Sequence, residues 1–136
     1  MSAQAGSVRH INPSSMNKPF GYTQVVEVTG PGRMVFIAGQ TSVDSGGNVV
    51  GAGDLATQTR QVFENLKAAL TSVGADFSQI VKFNYYMLDI SQLAVLREVR
   101  SQYLTSDEPP ASTAVQVGGL ARPEFLIEIE AVAVIP

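Results

Sequence analysis

The stretch PPASTAVQVGGLARPEFLIEIEAVAVIP, Pro109 to Pro136, joins two predicted strands through a Gly/Pro turn and decides the fold. From Leu126 to Ile135 the side chains alternate, so a strand puts Ile127, Ile129, Ala131, Ala133 and Ile135 on one face. The other face carries Leu126, Glu128, Glu130, Val132 and Val134. One face is wholly apolar and the other is apolar except for two carboxylates, the pattern of a strand in a sheet covered on both sides. Helices are expected to cover one side and a neighbouring subunit the other.

Composition narrows what such a sheet can serve. The 136 residues suit one domain, 1–136, with residues 1–6 small, polar and loose, and 45% hydrophobic against 15% charged content excludes a disordered polar chain. A net charge of -3 supplies no basic field for a phosphate backbone, so nucleic acid is not an expected partner. No Cys is present and His10 is the one histidine, which rules out thiolate chemistry and leaves no expected metal site. No leader-like or membrane-spanning apolar run is visible, and the expected location is the cytoplasm.

Upstream, Ser7 to Ile11 reads as a short edge strand ended by Asn12-Pro13. Nothing nearby in sequence orients His10 as a base, so it is read as a surface or hydrogen-bonded residue. Tyr22 to Thr29 alternates as a strand, Gly30-Pro31-Gly32 turns, and Arg33 to Gly39 supplies the partner of an expected hairpin. A Gly/Asn/Ser-rich loop, Asp44 to Gly53, leads to the clearest helix, capped by Asp54 and stopped by Gly74. Leu55, Thr59, Val62, Phe63, Leu66, Ala69, Leu70 and Val73 form its apolar face, and Gln58, Arg60, Gln61, Glu64 and Lys67 its expected solvated face. Ser78 to Leu88 is rich in β-branched and aromatic residues and reads as a strand.

A second helix runs from Ser91 to about Leu104 on the stripe Leu93, Leu96, Val99 and Tyr103. Arg97 and Arg100 fall at or inside the edge of that stripe. Either they reach water along their aliphatic stems or they meet an anion, because an unpaired buried charge is costly. The order βββαβαββ predicts an α+β fold with two helices on one face of a mixed sheet. Closed homo-oligomerisation is the simplest way to cover the second face.

Glu128 and Glu130 lie two apart on one strand face, about 7 Å by strand rise, and could pass for an acid/base pair. Glu128 is read as the chemical one and Glu130 as structural, held by backbone amides or a subunit partner. Ser112 and Thr113 have no base near them in sequence and are read as binding groups rather than nucleophiles. Gly39-Gln40 and Gly118-Gly119 make no phosphate-cradling pattern, the first being a close-packed strand end and the second a bend.

From Gly21 to Val134 the chain resembles the RidA/YjgF family of reactive-intermediate deaminases, whose older names are L-PSP endoribonuclease and translation-initiation inhibitor. The resemblance rests on Gly21-Tyr22-Thr23-Gln24, Phe36-Ile37-Ala38-Gly39-Gln40, Gln58-Thr59-Arg60-Gln61-Val62 with Glu64-Asn65-Leu66, Ile80-Val81-Lys82, Pro110-Ala111 and Ile127-Glu128-Ile129-Glu130-Ala131. It implies a chorismate-mutase-like homotrimer with small-molecule clefts between subunits. In the deaminating branch an arginine after Pro-Ala binds the carboxylate of a 2-imino acid, and a backbone carbonyl with a glutamate positions the hydrolytic water. Here Ser112 stands at that arginine, Glu128 matches the glutamate and Tyr22 the cleft tyrosine. Losing the two-pronged cation removes about 1.5–3 kcal/mol or more of charge-assisted binding.

Arg97 aligns with a cleft-lining asparagine of the second helix and is read either as a replacement cation in the cleft or as an exposed or interface ion pair. The implied site is therefore catalytic Glu128, with Tyr22, Arg97, Ser112, Thr113 and Ala114 binding a polar or anionic small molecule, and with no metal or cofactor. The implied activity is hydrolysis of an imine or enamine to a carbonyl compound and ammonia. A non-catalytic ligand-binding module is the alternative, which the missing arginine favours. An endoribonuclease is disfavoured by net acidity and the want of a histidine pair.

Overall fold

The structure, a computed structural model, describes residues 6–30 and 32–136. The expected looseness of residues 1–6 therefore falls, for residues 1–5, outside the described part. The elements are β1 Ser7–Ile11, β2 Val25–Thr29, β3 Arg33–Gln40, α1 Leu55–Ser72, β4 Ile80–Met87, α2 Leu93–Ser101, β5 Ala111–Gln116 and β6 Ile127–Ile135. That is the expected βββαβαββ order, with short 3-10 turns at Phe77–Gln79 and Ile90–Gln92 leading into β4 and α2. No helix among the described residues is long and apolar enough to cross a membrane.

Four strands form a mixed sheet in the order β3-β6-β4-β5, with β6 antiparallel to both neighbours and β5 parallel to β4. The strand that opened the sequence reading is thus interior to the sheet. Its Ile127, Ile129, Ala131 and Ala133 are buried beneath Val62, Phe63, Leu66 and Leu70 of α1 and Leu96 and Val99 of α2. Asp54 caps α1 by accepting from the Thr57 amide, and after Ser72 the Ala75 amide returns to the Leu70 carbonyl around Gly74, so both predicted ends hold.

Two expectations are corrected. The β2–β3 hairpin does not form, since β1 and β2 make a separate antiparallel ribbon from Ser7↔Thr29 to Ile11↔Val25. A Cβ added at Gly32 would stand 2.8 Å from the Ile135 carbonyl oxygen, so the chain is pressed to the end of β6 as it enters β3. There β3 takes β6 as partner, Arg33↔Ile135, and β2 leaves the sheet instead of folding back along it. Gln58, expected on the solvated face of α1, is buried. Its Nε2 donates to the carbonyls of Gly51 and Glu124 and its Oε1 accepts from the Leu126 amide, tying the loop before α1 to the entry of β6.

The sheet face turned away from the helices stays open. Phe36 is 73% and Met34 61% exposed there, and Val115 lies on the same side.

Candidate functional site

On the helix side, the edge of the sheet at β5 meets α2 and the loop before β2 around a cleft of 140 Å³. Tyr22, Arg97, Ser112 and Ala114 line it together, joined by Phe20, Tyr85, Leu93 and Arg100. Parallel pairing explains the β5 contribution: Ser112 lies beside Phe83 and Ala114 beside Tyr85, and both β4 residues face the helices and are buried. Tyr22 is placed by its neighbour Thr23, which is buried and bonds twice to the chain just ahead of β5. Its amide donates to the Pro110 carbonyl at 3.2 Å and its hydroxyl to the Pro109 carbonyl.

Helix α2 supplies the cations because Leu96 and Val99 anchor its inner stripe, which leaves Arg97 and Arg100 on the flank beside the cleft. The Arg100 guanidinium lies over the Tyr85 ring, 5.8 Å from its centroid. Gly21 lies beside it, with φ at +77°, and a Cβ added there would meet Nη2 at 3.0 Å. Tyr85 is 1% exposed, and its hydroxyl has no hydrogen-bond partner. Burial pushes that phenol up to about 12 against the pull of the Arg100 charge, so near neutrality it keeps its proton and can donate.

Two sequence-chosen residues lie elsewhere. Thr113 alternates to the open face of β5, where its hydroxyl accepts from Lys82 Nζ at 2.7 Å, so it is separated from Ser112 and Ala114 by the pleat of the strand. Glu128 also lies on the open face, opposite Tyr86 and between the buried Ile127 and Ile129. Within one protomer the carboxylate and the cationic cleft are on opposite sides of the sheet.

The two glutamates of β6 differ in what holds them. Glu130 Oε1 accepts from Tyr86 Oη at 2.6 Å and from Asn84 Nδ2 at 3.0 Å. Within the protomer, side chains of the same sheet tie it, not backbone amides. That hydrogen bond also raises the Tyr86 pKa. Glu128 has no hydrogen-bond partner among the described residues and lies on Gly39, where an added Cβ would come within 2.9 Å of its Cδ. The β3–β6 register shifts between Ile37 and Gln40, so a bulge at Ala38-Gly39 shapes this seat.

Sequence reasoning passed over Phe20, Tyr85 and Leu93, and of the two arginines it flagged on α2 it assigned only Arg97 to the site. Arg100 carried a signal, since it shares the flank of α2 with Arg97. His10 lies outside the cleft on β1, its Nδ1 3.2 Å from Glu108 Oε2 but without hydrogen-bond alignment, so the contact becomes an ion pair only when the ring is protonated. Among the described residues no three His, Asp or Glu gather as metal ligands would.

The family model described as Endoribonuclease L-PSP matches residues 14–135. A solved structure of a Yersinia pestis protein of unknown function, YyfB of the conserved Rid protein family, superposes with a TM-score of 0.84 at 38% identity, covering 93% of this chain and 97% of that one. The 3-aminoacrylate deaminase RutC of Acinetobacter baylyi is 33% identical over 108 residues, 79% of this chain and 84% of that protein. The human 2-iminobutanoate/2-iminopropanoate deaminase is 34% identical over 113 residues, 83% of this chain and 79% of that protein.

Proposed function

Because the chain belongs to the endoribonuclease L-PSP family, which includes the RidA/YjgF proteins, we propose that it hydrolyses an imine or enamine metabolite to a carbonyl compound and ammonia. The reaction takes place in a cleft closed by a second copy of the chain. The observation that carries the reading is the division of the site. Tyr22, Arg97 and Ser112 share a cleft on one side of the sheet, whereas Glu128, unbonded and seated on Gly39, lies on the other beside exposed Phe36 and Met34. A single copy holds both halves but cannot join them. A closed homotrimer brings the open face of one copy against the cleft of the next and buries its apolar side chains in doing so.

The chemistry asks little of the protein. An enamine first takes a proton at carbon and becomes the iminium; an imine takes one at nitrogen. Water held by Glu128 adds to the carbon, its proton passes to the carboxylate, and the C=N π pair moves onto nitrogen. The carboxylate returns the proton to nitrogen and then takes the hydroxyl proton as ammonia leaves and the carbonyl forms; that proton passes to the released ammonia or to solvent. The electrophile is already activated, so placing one water is the main contribution required. In this reading residues 1–136 act as one domain, in the cytoplasm and without a cofactor.

The test is ammonia release from a panel of imines generated in situ, using wild type, Glu128→Ala, Tyr22→Ala and a refolded equal mixture of the two variants. Glu128→Ala should lose about 10²–10⁴-fold in rate. In the mixture about a quarter of the clefts combine an intact wall from each copy, and activity should return to about that fraction. No acceleration on any imine by wild type would instead support the ligand-binding alternative, which the serine at position 112 favours. No recovery in the mixture would mean that copies do not share the site.

A further inference from the structure

We propose that the cleft recognises a small dicarboxylate, with one carboxylate held deep by Arg100 and Tyr85 and the other at the mouth by Arg97. The substrate would then be the imine or enamine of a dicarboxylic acid. The substrate claim rests on the deaminase reading; the binding claim does not.

Charge comes first. The eight residues around the cleft include two arginines and no acid, and neither arginine has a carboxylate within ion-pair distance among the described residues. A cleft with two uncompensated cations favours a dianion over a monoanion.

The two cations are held differently. Arg100 is partly buried, with the Tyr85 ring and Gly21 beside its guanidinium. Arg97 is exposed at the rim and can close over a ligand. Residues three apart on a helix carry Cβ atoms about 5–6 Å apart, which suits two carboxylates separated by a short carbon chain.

The Tyr85 hydroxyl is the second, independent sign of a ligand. The Tyr85 side chain lines the cleft, and its hydroxyl is buried, keeps its proton and has no hydrogen-bond partner among the described residues. Unpartnered buried donors are rare because leaving one unsatisfied is costly, and a carboxylate oxygen beside Arg100 would satisfy it. Phe20, Leu93 and Ala114 supply apolar walls for the intervening carbons, and the Ser112 hydroxyl supplies a further polar contact.

Calorimetric titration of the full chain with succinate, butyrate and inorganic phosphate tests this, because succinate and butyrate share a chain length and differ by one carboxylate. Succinate should bind at least about tenfold tighter than either of the others at low salt. Arg97→Met, a rim substitution that leaves the core alone, should reduce succinate to the level of butyrate and leave butyrate unchanged. Arg100→Met should weaken both acids, and Tyr85→Phe, which keeps the ring beneath Arg100, should weaken both by a smaller factor. Equal affinity for succinate and butyrate, tighter binding of phosphate, or an Arg97→Met protein that still prefers succinate would each overturn the proposal. Ammonia release separates the two ideas. Diacid preference without turnover of any imine sinks the deaminase reading and leaves this inference standing, whereas rapid turnover of monocarboxylic imines with no diacid preference does the reverse.

Discussion

The two faces of the sheet come from the same strands by simple alternation, yet they carry opposite chemistry. The helix-covered face ends at β5 in a small cleft with two arginines and no acid. The open face carries Glu128 and Glu130 among exposed Phe36, Met34 and Val115, with the one lysine of that face bonded to Thr113. The contrast shows how a sheet four strands wide can carry a pair of arginines and an unbonded carboxylate without letting them neutralise each other. Placed side by side in one protomer, Arg97 and Glu128 would form an ion pair, and each would be lost to substrate. Separation by the thickness of the sheet keeps both available, and in the proposed oligomer a second copy would bring them together.

The contrast breaks most completely if the open face cannot meet another copy. Phe36→Asp places a charge at the centre of its exposed apolar cluster, where burying the phenylalanine in a subunit contact would stabilise by about 1.5–3 kcal/mol per copy. The expected outcome is a folded monomer without deaminase activity, read by sedimentation together with ammonia release. A fully active monomer would show that one copy suffices. A smaller effect comes from the seat of Glu128. Gly39→Ala must displace that carboxylate, because no room exists for a Cβ beside its Cδ. Misplacement by about 1 Å should lower kcat by about 10²-fold while succinate still binds, since the cationic wall is untouched. If Gly39→Ala kept full activity, Glu128 would not be the water-positioning group.

These outcomes rest on features that differ in how well the sequence displayed them. Periodicity exposed every helix and strand in order, because Ile127 to Ile135 and Leu55 to Leu70 each obey one period over a long run. It also displayed the difference between the β6 faces, since alternation is local. The pairing of β2 was hidden: Gly30-Pro31-Gly32 has hairpin composition, and only the contact of Gly32 with the distant Ile135 shows that the chain is held elsewhere. Gln58 looked like a surface residue because its three backbone partners, at Gly51, Glu124 and Leu126, are brought together only by folding. Tyr85 was hidden for a related reason. It fits the apolar phase of β4 and reads as core, which it is, except that it also lines a cleft completed by α2 and the loop at Phe20. Thr113 differs: adjacency to Ser112 suggested a shared wall, and the two-residue period of the strand places it on the open face that carries Glu128.

The smallest effect sharpens the contrast from the cleft side. Tyr85 is buried with its pKa raised to about 12, so a tyrosinate absorbance titration of the folded protein should show an ionisation step near that pH. Tyr85→Phe should remove that step. The sign for stability follows from the raised value. The folded state favours the protonated phenol, so this contribution is complete below about pH 10, the unfolded value, and is lost as pH rises from there to about 12. Wild type should therefore lose stability toward Tyr85→Phe across that window and not below it. A bound succinate should move the step still higher, because a carboxylate accepting from the phenol beside Arg100 favours the protonated form. If saturating succinate left the step where it was, the phenol would not be donating to the ligand, and only the arginines of the cationic wall would remain as its anchor.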